Sequence, residues 1–205
     1  MVKPEYLLLG PDASEARLRA LSDKGVLART RTLSFSTHGL LSGDFDGLAE
    51  PALALAAPAP GAPGDGLLLA SEAATLRLAA DWVVLSACNT AAPDQIGGEG
   101  LSGLARSFFY AGADHLLVSH WQVRDDATRA LISATFDHLA KDGARGNARA
   151  LQAAMIELID DPRDDEVRLI VGQCATSGML GADDCPMASL AHPWAWAPFV
   201  MVGLP

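Results

Sequence analysis

The stretch WVVLSACNT, at residues 82–90, joins a short apolar run to a lone cysteine. Residues 82–85 are aromatic or aliphatic and too few to form a helix of their own, which is typical of a strand buried in a parallel sheet. Cys88 follows just past the predicted end of that strand. Ligands of open α/β sheets bind outside the carboxyl ends of the strands, so this position makes the Cys88 thiol a candidate for chemistry.

A second predicted strand ends in a comparable way. Residues 33–36 are predicted to form a strand, and His38 follows its end. An earlier predicted strand at residues 6–9 and a predicted helix over residues 14–22 complete a strand–helix–strand unit, in which the two strands run parallel. A thiol and an imidazole at the carboxyl ends of two such strands can face one crevice. The sequence therefore predicts that Cys88 and His38 form one site.

The composition limits the class of protein. The chain has 205 residues, half of them hydrophobic, which suits an α/β domain with a sizeable core. Its net charge of -10 argues against nucleic acid or an anionic membrane surface as a partner and is compatible with a basic peptide. No apolar run approaches the ~20 residues of a membrane span, and the first residues do not resemble a signal peptide. We expect a cytoplasmic protein without a disulfide framework, because its three cysteines are sparse and odd in number.

The rest of the chain alternates predicted elements with loops. Residues 52–66, rich in Ala, Pro and Gly, and residues 172–191 are predicted as flexible loops. The remaining predictions are strands at 67–69 and 116–119 and helices over 71–80 and 101–111. A further helix is capped by Asp125 or Asp126 and ends at about residue 140, and Asn147 caps the next. Pro198 lies inside the apolar tail 194–202, which favours an edge strand or a bulge there because proline cannot donate to a central ladder.

Four segments, in this order, resemble the CHAT domain: FSTHG at 35–39, LSACNTA at 85–91, GEGLSGLARSFFYAGA at 98–113 and HPWAWAPFVMVG at 192–203. CHAT domains are a caspase-like cysteine peptidase family often joined to tetratricopeptide repeats. The resemblance covers roughly residues 6–203, except for the two predicted loops.

The resemblance implies the fold. Caspase-like domains are three-layer α/β/α sandwiches with a mostly parallel sheet of about six strands. Residues 1–205 are then expected to form the C-terminal portion of a single CHAT domain. The first central strand of the family would precede residues 6–9, so the chain is expected to lack it and to leave sheet edges that are prone to association.

The resemblance also assigns the catalytic roles to His38 and Cys88, and the oxyanion hole to the backbone N–H groups of Gly39 and Cys88. A free cysteine, with a reference pKa of ~8.5, is mostly protonated at neutral pH. His38 would accept the thiol proton or hold an ion pair, and would then donate to the leaving amine. Gly39 has no Cβ, so a substrate can approach its backbone closely. No cofactor or metal is expected.

The substrate-binding residues follow from the same resemblance. The residue two before the cysteine lines the specificity pocket of caspase relatives, and here it is Ser86. The loop after residues 116–119 adds Trp121 and Asp125, which could stack on and pair with an Arg or Lys side chain of a substrate. Helix capping explains Asp125 equally well. Acidic residues on neighbouring loops are alternatives, although surface solvation accounts for each of them: Glu99, Asp44 and Asp46.

Other histidines and cysteines compete for these roles. His115 lies at the entry end of its predicted strand, away from the crevice, whereas His120 lies at the exit end and remains a rival for the base. Cys174, Cys185 and His192 suggest a zinc site. Ten residues separate these two cysteines, however, and structural zinc sites use tightly spaced pairs.

The sequence leaves three functions open. A cysteine endopeptidase that cleaves a protein substrate agrees best with an intact His38 and Cys88, and a basic residue before the cleaved bond is one candidate specificity. Such an enzyme would be regulated by an N-terminal module or partner, for example tetratricopeptide repeats. The second is a catalytically silent signalling or scaffold module, in which Cys88 is a small core residue and His38 a turn histidine. The third is a thiol hydrolase of small esters or amides.

Overall fold

The computed structural model describes residues 6–61, 63–86, 103–121, 123, 125–142, 146–160 and 190–203. The chain divides into two compact units. The first comprises Met1–Gln122 together with Phe199–Pro205, and the second comprises Val123–Pro198.

The first unit contains two sheets. Four strands form the larger sheet, in the order β1 (Thr32–Phe35), β5 (Trp82–Leu85), β6 (His115–Ser119) and β7 (Phe199–Gly203). The first three are parallel, and β7 is antiparallel to β6. The smaller sheet is antiparallel, in the order β2 (Gly39–Leu40), β3 (Ala52–Ala54) and β4 (Leu67–Leu69).

The described part of the first unit also contains three α-helices: α1 (Glu15–Asp23), α2 (Ala70–Ala73) and α3 (Gly103–Ala111). Their buried side chains share one core with a face of the larger sheet, where Val83, Leu85 and Val118 lie. In that core the rings of Phe35 and Phe108 lie 5.3 Å apart. Every residue of β5 is buried, as expected of a central parallel strand.

The second unit is helical in its described part. It contains α4 (Asp125–Asp142), α5 (Asn147–Ile159) and a single turn, α6 (Pro193–Trp196). Helices α4 and α5 pack against each other, and His138 Nε2 lies 2.9 Å from a carboxylate oxygen of Glu157 between them. None of the helices in the described ranges has both the length and the apolar character that crossing a membrane requires.

The predicted fold class is confirmed: the chain is α/β with a mostly parallel sheet, compatible with the caspase-like sandwich that the resemblance implies. The edge strand predicted in the tail is confirmed for its second half, whereas residues 193–196 form α6. Pro198 immediately precedes β7, which is an edge strand of the larger sheet among the described residues. Gly112 closes α3 with a φ of 107°, as a C-cap glycine does.

The strand predicted at residues 6–9 is wrong. These residues form no strand, and the side chains of Tyr6, Leu7 and Leu9 are 49%, 57% and 65% exposed. An extended apolar segment becomes a strand only when a neighbouring strand satisfies its backbone. No described strand pairs with residues 6–9, and β1 is an edge strand among the described residues.

Two other predictions need correction. The helix predicted over residues 71–80 ends at Ala73, because Leu76, Leu78 and Ala80 are buried in alternation with exposed neighbours, the pattern of extended chain. The flexible loop predicted over residues 52–66 is wrong for its first three residues. Ala52–Ala54 form β3, whose residues 52 and 53 are fully buried between β2 and β4. Residues 172–189 lie outside the described residues.

Candidate active site

The strands before the two candidate catalytic residues are neighbours. β1 and β5 pair in parallel, with Phe35 opposite Leu85 at their carboxyl ends. His38 and Cys88 each follow this pair by three residues in the sequence (38 minus 35, and 88 minus 85). Adjacent strands are about 4.8 Å apart, so both segments leave the same edge of the sheet from neighbouring positions. Cys88 itself lies outside the described residues.

The backbone on both sides of His38 is attached to β3. The Thr37 hydroxyl donates to the carbonyl of Ala54, and the Ala54 N–H donates to the carbonyl of His38 over 2.9 Å. Gly39 then pairs with Leu53 as β2 begins. The main chain of His38 is therefore held in place while its side chain is exposed to solvent. A held backbone with an accessible imidazole suits a group that exchanges protons with a substrate.

The backbone N–H of Gly39 points away from β3. Because Ala54 and His38 form a hydrogen-bonded pair, the next pair in this antiparallel ladder, Gly39 and Leu53, belongs to the non-hydrogen-bonded class. The N–H of Gly39 is thus directed to the outer side of β2, which is the edge strand of the smaller sheet in the described chain. An N–H in that direction can donate a hydrogen bond to an oxygen that develops negative charge.

Two serine hydroxyls meet where β1 and β5 end. Ser36 and Ser86 each follow the Phe35–Leu85 pair by one residue, and their Oγ atoms are 3.1 Å apart. The Ser86 hydroxyl also donates to the Phe35 carbonyl over 3.0 Å. Ser36 is exposed and Ser86 is half-buried. Ser86, which the resemblance places in the specificity pocket, therefore lies beside the segment that carries His38.

Comparison with protein-family models matches residues 4–204 to the CHAT domain. This chain belongs to the CHAT domain family. No curated protein matches the chain significantly. The family model spans nearly all of the sequence, including segments of both compact units, and the resemblance drawn from four motifs is confirmed.

The other predicted binding residues of this CHAT domain follow a third strand in the sequence. Val84 pairs with Leu117, so β6 runs parallel to β5 and ends at the same edge. Trp121 comes two residues after β6 and is half-buried. Asp125 is the exposed first residue of α4, in the second compact unit. The roles of Trp121 and Asp125 in substrate binding stay predictions.

The acidic alternatives differ in how the structure uses them. Asp44 accepts the N–H of Leu41 over 2.7 Å, which stabilises the turn after β2 and accounts for its position. Asp46 is exposed in the same turn-rich segment. Glu99 lies outside the described residues.

The remaining histidines of this CHAT domain occupy other positions. His115 is the first residue of β6, at the entry end of the sheet, and its Nδ1 lies 3.1 Å from the Asp81 carbonyl oxygen. His120 is exposed directly after β6, at the exit end, and therefore remains a rival for the base. His192 accepts the Trp194 N–H over 3.2 Å and caps α6.

The described residues contain no cluster of possible metal ligands. Among those residues, no three His, Cys, Asp or Glu side chains are close enough to hold an ion. Cys174 and Cys185, which with His192 suggested zinc, lie outside the described residues.

A cavity of about 330 Å³ is lined by residues other than the candidate site residues. Its wall is formed by the start of α1 and by the segment after β3, including Ser14, Glu15, Ala57 and Pro58. The carboxylate of Glu15 is bound by Arg19 over 2.7 Å, which accounts for the charge at this position. None of the candidate site residues lines this cavity.

Two residues near the site were missed from the sequence. Thr37 anchors the segment before His38, and Ser36 shares a hydrogen bond with Ser86. A signal for Ser36 was present, because Ser36 and Ser86 both come two residues before the candidate catalytic residues. That equivalence acquires meaning only when β1 and β5 are known to be neighbours in this register.

Proposed function

We propose that this CHAT domain is a cysteine endopeptidase that cleaves a protein substrate, with Cys88 as the nucleophile and His38 as its acid–base partner. The observation that carries the proposal is the pairing of β1 with β5, with Phe35 opposite Leu85. This register supports a site in which the segments after both strands border one crevice. The exposed side chain of His38 supports it as well.

The reaction follows from the two side chains. His38 accepts the thiol proton, and the thiolate attacks the peptide carbonyl carbon to form a C–S bond. The N–H groups of Gly39 and Cys88 stabilise the oxyanion. The C–N bond then breaks as the imidazolium donates its proton to the leaving amine. Water hydrolyses the thioester, which releases the acid product and restores the thiol.

The proposal includes partners. The substrate is a protein or peptide, and Ser86, Trp121 and Asp125 contribute to its binding. A regulatory module or partner outside this chain, such as tetratricopeptide repeats, controls access to the site. Nucleic acid and membrane are not direct partners, since the net charge of -10 disfavours both. We propose that the protein acts in the cytoplasm.

The first test is labelling of the thiol. The full-length protein, activated by its regulator, is treated with peptide acyloxymethyl ketones that alkylate a reactive cysteine. We expect labelling of the wild type and of the control Cys185→Ala, and none of Cys88→Ala. An activated wild-type protein that takes up no label, or equal labelling of Cys88→Ala, would favour the scaffold function.

The second test separates the two histidines at the exit edge. His38→Ala should lower the rate of peptide cleavage by roughly 10²- to 10⁴-fold, which is the usual contribution of a general base. His120→Ala is the matched control, because His120 is also exposed directly after a neighbouring strand. It should retain most of the activity. The reverse result would transfer the base role to His120.

A further inference from the structure

The hydrogen bond between the Ser36 and Ser86 hydroxyls, at the ends of β1 and β5, runs in one direction. The Ser86 hydroxyl donates to the Phe35 carbonyl, and a carbonyl oxygen can only accept. A serine has one hydroxyl hydrogen, so the 3.1 Å contact between the two Oγ atoms is made by the Ser36 hydroxyl, which donates to Ser86. The chain of donation therefore runs from Ser36 to Ser86 to the Phe35 carbonyl.

This direction determines what Ser36 offers to a ligand. Its hydroxyl hydrogen is donated to Ser86. Its oxygen lone pairs remain available to a ligand, because the side chain is exposed to solvent. Ser36 therefore presents a hydrogen-bond acceptor. An amide NH₂, an ammonium or a guanidinium can donate to it, whereas a carboxylate would place an acceptor against an acceptor. The net charge of -10 disfavours a carboxylate further.

We propose that Ser36 is a specificity-determining residue that selects a substrate side chain with a hydrogen-bond donor, and that Ser86 orients its hydroxyl. Ser36 lies two residues before His38, and Ser86 lies two before Cys88, so the pair borders both catalytic segments. This inference rests on the proposed peptidase function. It assigns Ser36 to direct substrate contact and gives Ser86 a positioning role.

The test uses peptides that differ only at the residue before the cleaved bond, which is Gln, Met or Glu, with mixed residues elsewhere. The wild-type full-length protein, activated by its regulator, should cleave the Gln peptides with a kcat/KM roughly five- to tenfold above that of the Met peptides, and the Glu peptides least. In Ser36→Ala the Gln and Met values should become equal. Ser36→Thr keeps the hydroxyl and should restore the preference.

Ser86→Ala should change the selectivity between Glu and Gln peptides, an effect that a mere loss of packing would not produce. Without the Ser86 acceptor, the Ser36 hydroxyl can rotate and donate outward. The rejection of Glu relative to Gln should therefore weaken severalfold, while the preference for Gln over Met persists. Loss of both preferences in parallel would contradict the positioning role of Ser86.

Binding to the inactive Cys88→Ala protein, measured by fluorescence anisotropy, separates the two proposals. If Cys88→Ala prefers Gln peptides and the wild type cleaves none, the inference stands and the peptidase function fails. If the wild type cleaves Gln and Met peptides equally well, the peptidase function stands and the inference fails. If the wild type cleaves none of the peptides and Cys88→Ala binds none of them, both fail.

Discussion

Gly112, between α3 and β6, is expected to tolerate no side chain. A Cβ at this position would lie 2.4 Å from the carbonyl oxygen of Leu78, about 1 Å inside ordinary contact. The obstacle is backbone, which cannot rotate away as a side chain does. Gly112→Ala therefore tests whether the chain passes this closely to the segment that leads into β5.

The magnitude has two parts. The φ of 107° is strained for alanine and costs roughly 1–2 kcal/mol. Moving the Leu78 carbonyl disturbs two flanking hydrogen bonds, from the N–H of Leu78 to Ala111 over 2.8 Å and from the N–H of Ala80 to Gly112 over 3.2 Å. Their loss adds about 1–3 kcal/mol. Gly112→Ala should thus lower the free energy of unfolding by about 2–5 kcal/mol.

Gly43→Ala is the matched control. Gly43 has a φ of 87°, and nothing lies within 4 Å of a Cβ built there, so alanine meets the conformational strain without the clash. Thermal unfolding followed by circular dichroism measures the difference. At roughly 2–4 °C per kcal/mol for a chain of this size, Gly112→Ala should melt about 2–12 °C below Gly43→Ala. Equal melting temperatures for the two variants would refute the close approach.

Two further substitutions, one of them with a matched control, test the core and the support of the site. Phe108→Ala removes a fully buried ring and should cost about 3–5 kcal/mol in denaturant unfolding, whereas Tyr110→Ala, at an 83% exposed position in the same helix, should change stability by less than about 0.5 kcal/mol. Thr37→Val removes the hydroxyl bond to Ala54 and should cost about 0.5–1.5 kcal/mol. If His38 is the base, Thr37→Val should also lower kcat more than it changes KM. An unchanged kcat would mean that this bond does not position His38.

The local sequence pattern is sufficient to predict a strand where the whole segment lies in one kind of environment. The strands at 82–85 and 116–119 were predicted because their apolar residues are buried on both faces. Residues 76–80 show the opposite case. Their alternating burial has a period of two, but the leucine- and alanine-rich composition favours a helix. Contacts with Ala111 and Gly112 decide for the extended form, and those residues are more than thirty positions away.

For the candidate site, too, some features follow from local sequence and others only from the tertiary structure. The sequence alone determined the family, the α/β class and the residue types that make chemistry possible, because motifs and short apolar runs are local properties. Only the tertiary structure decided that Phe35 lies opposite Leu85, that Ala54 holds the segment around His38, and that the Ser36 and Ser86 hydroxyls lie 3.1 Å apart. Strand register and cross-strand hydrogen bonds join residues distant in the chain. Their energies depend on which strands become neighbours, and no single segment encodes that.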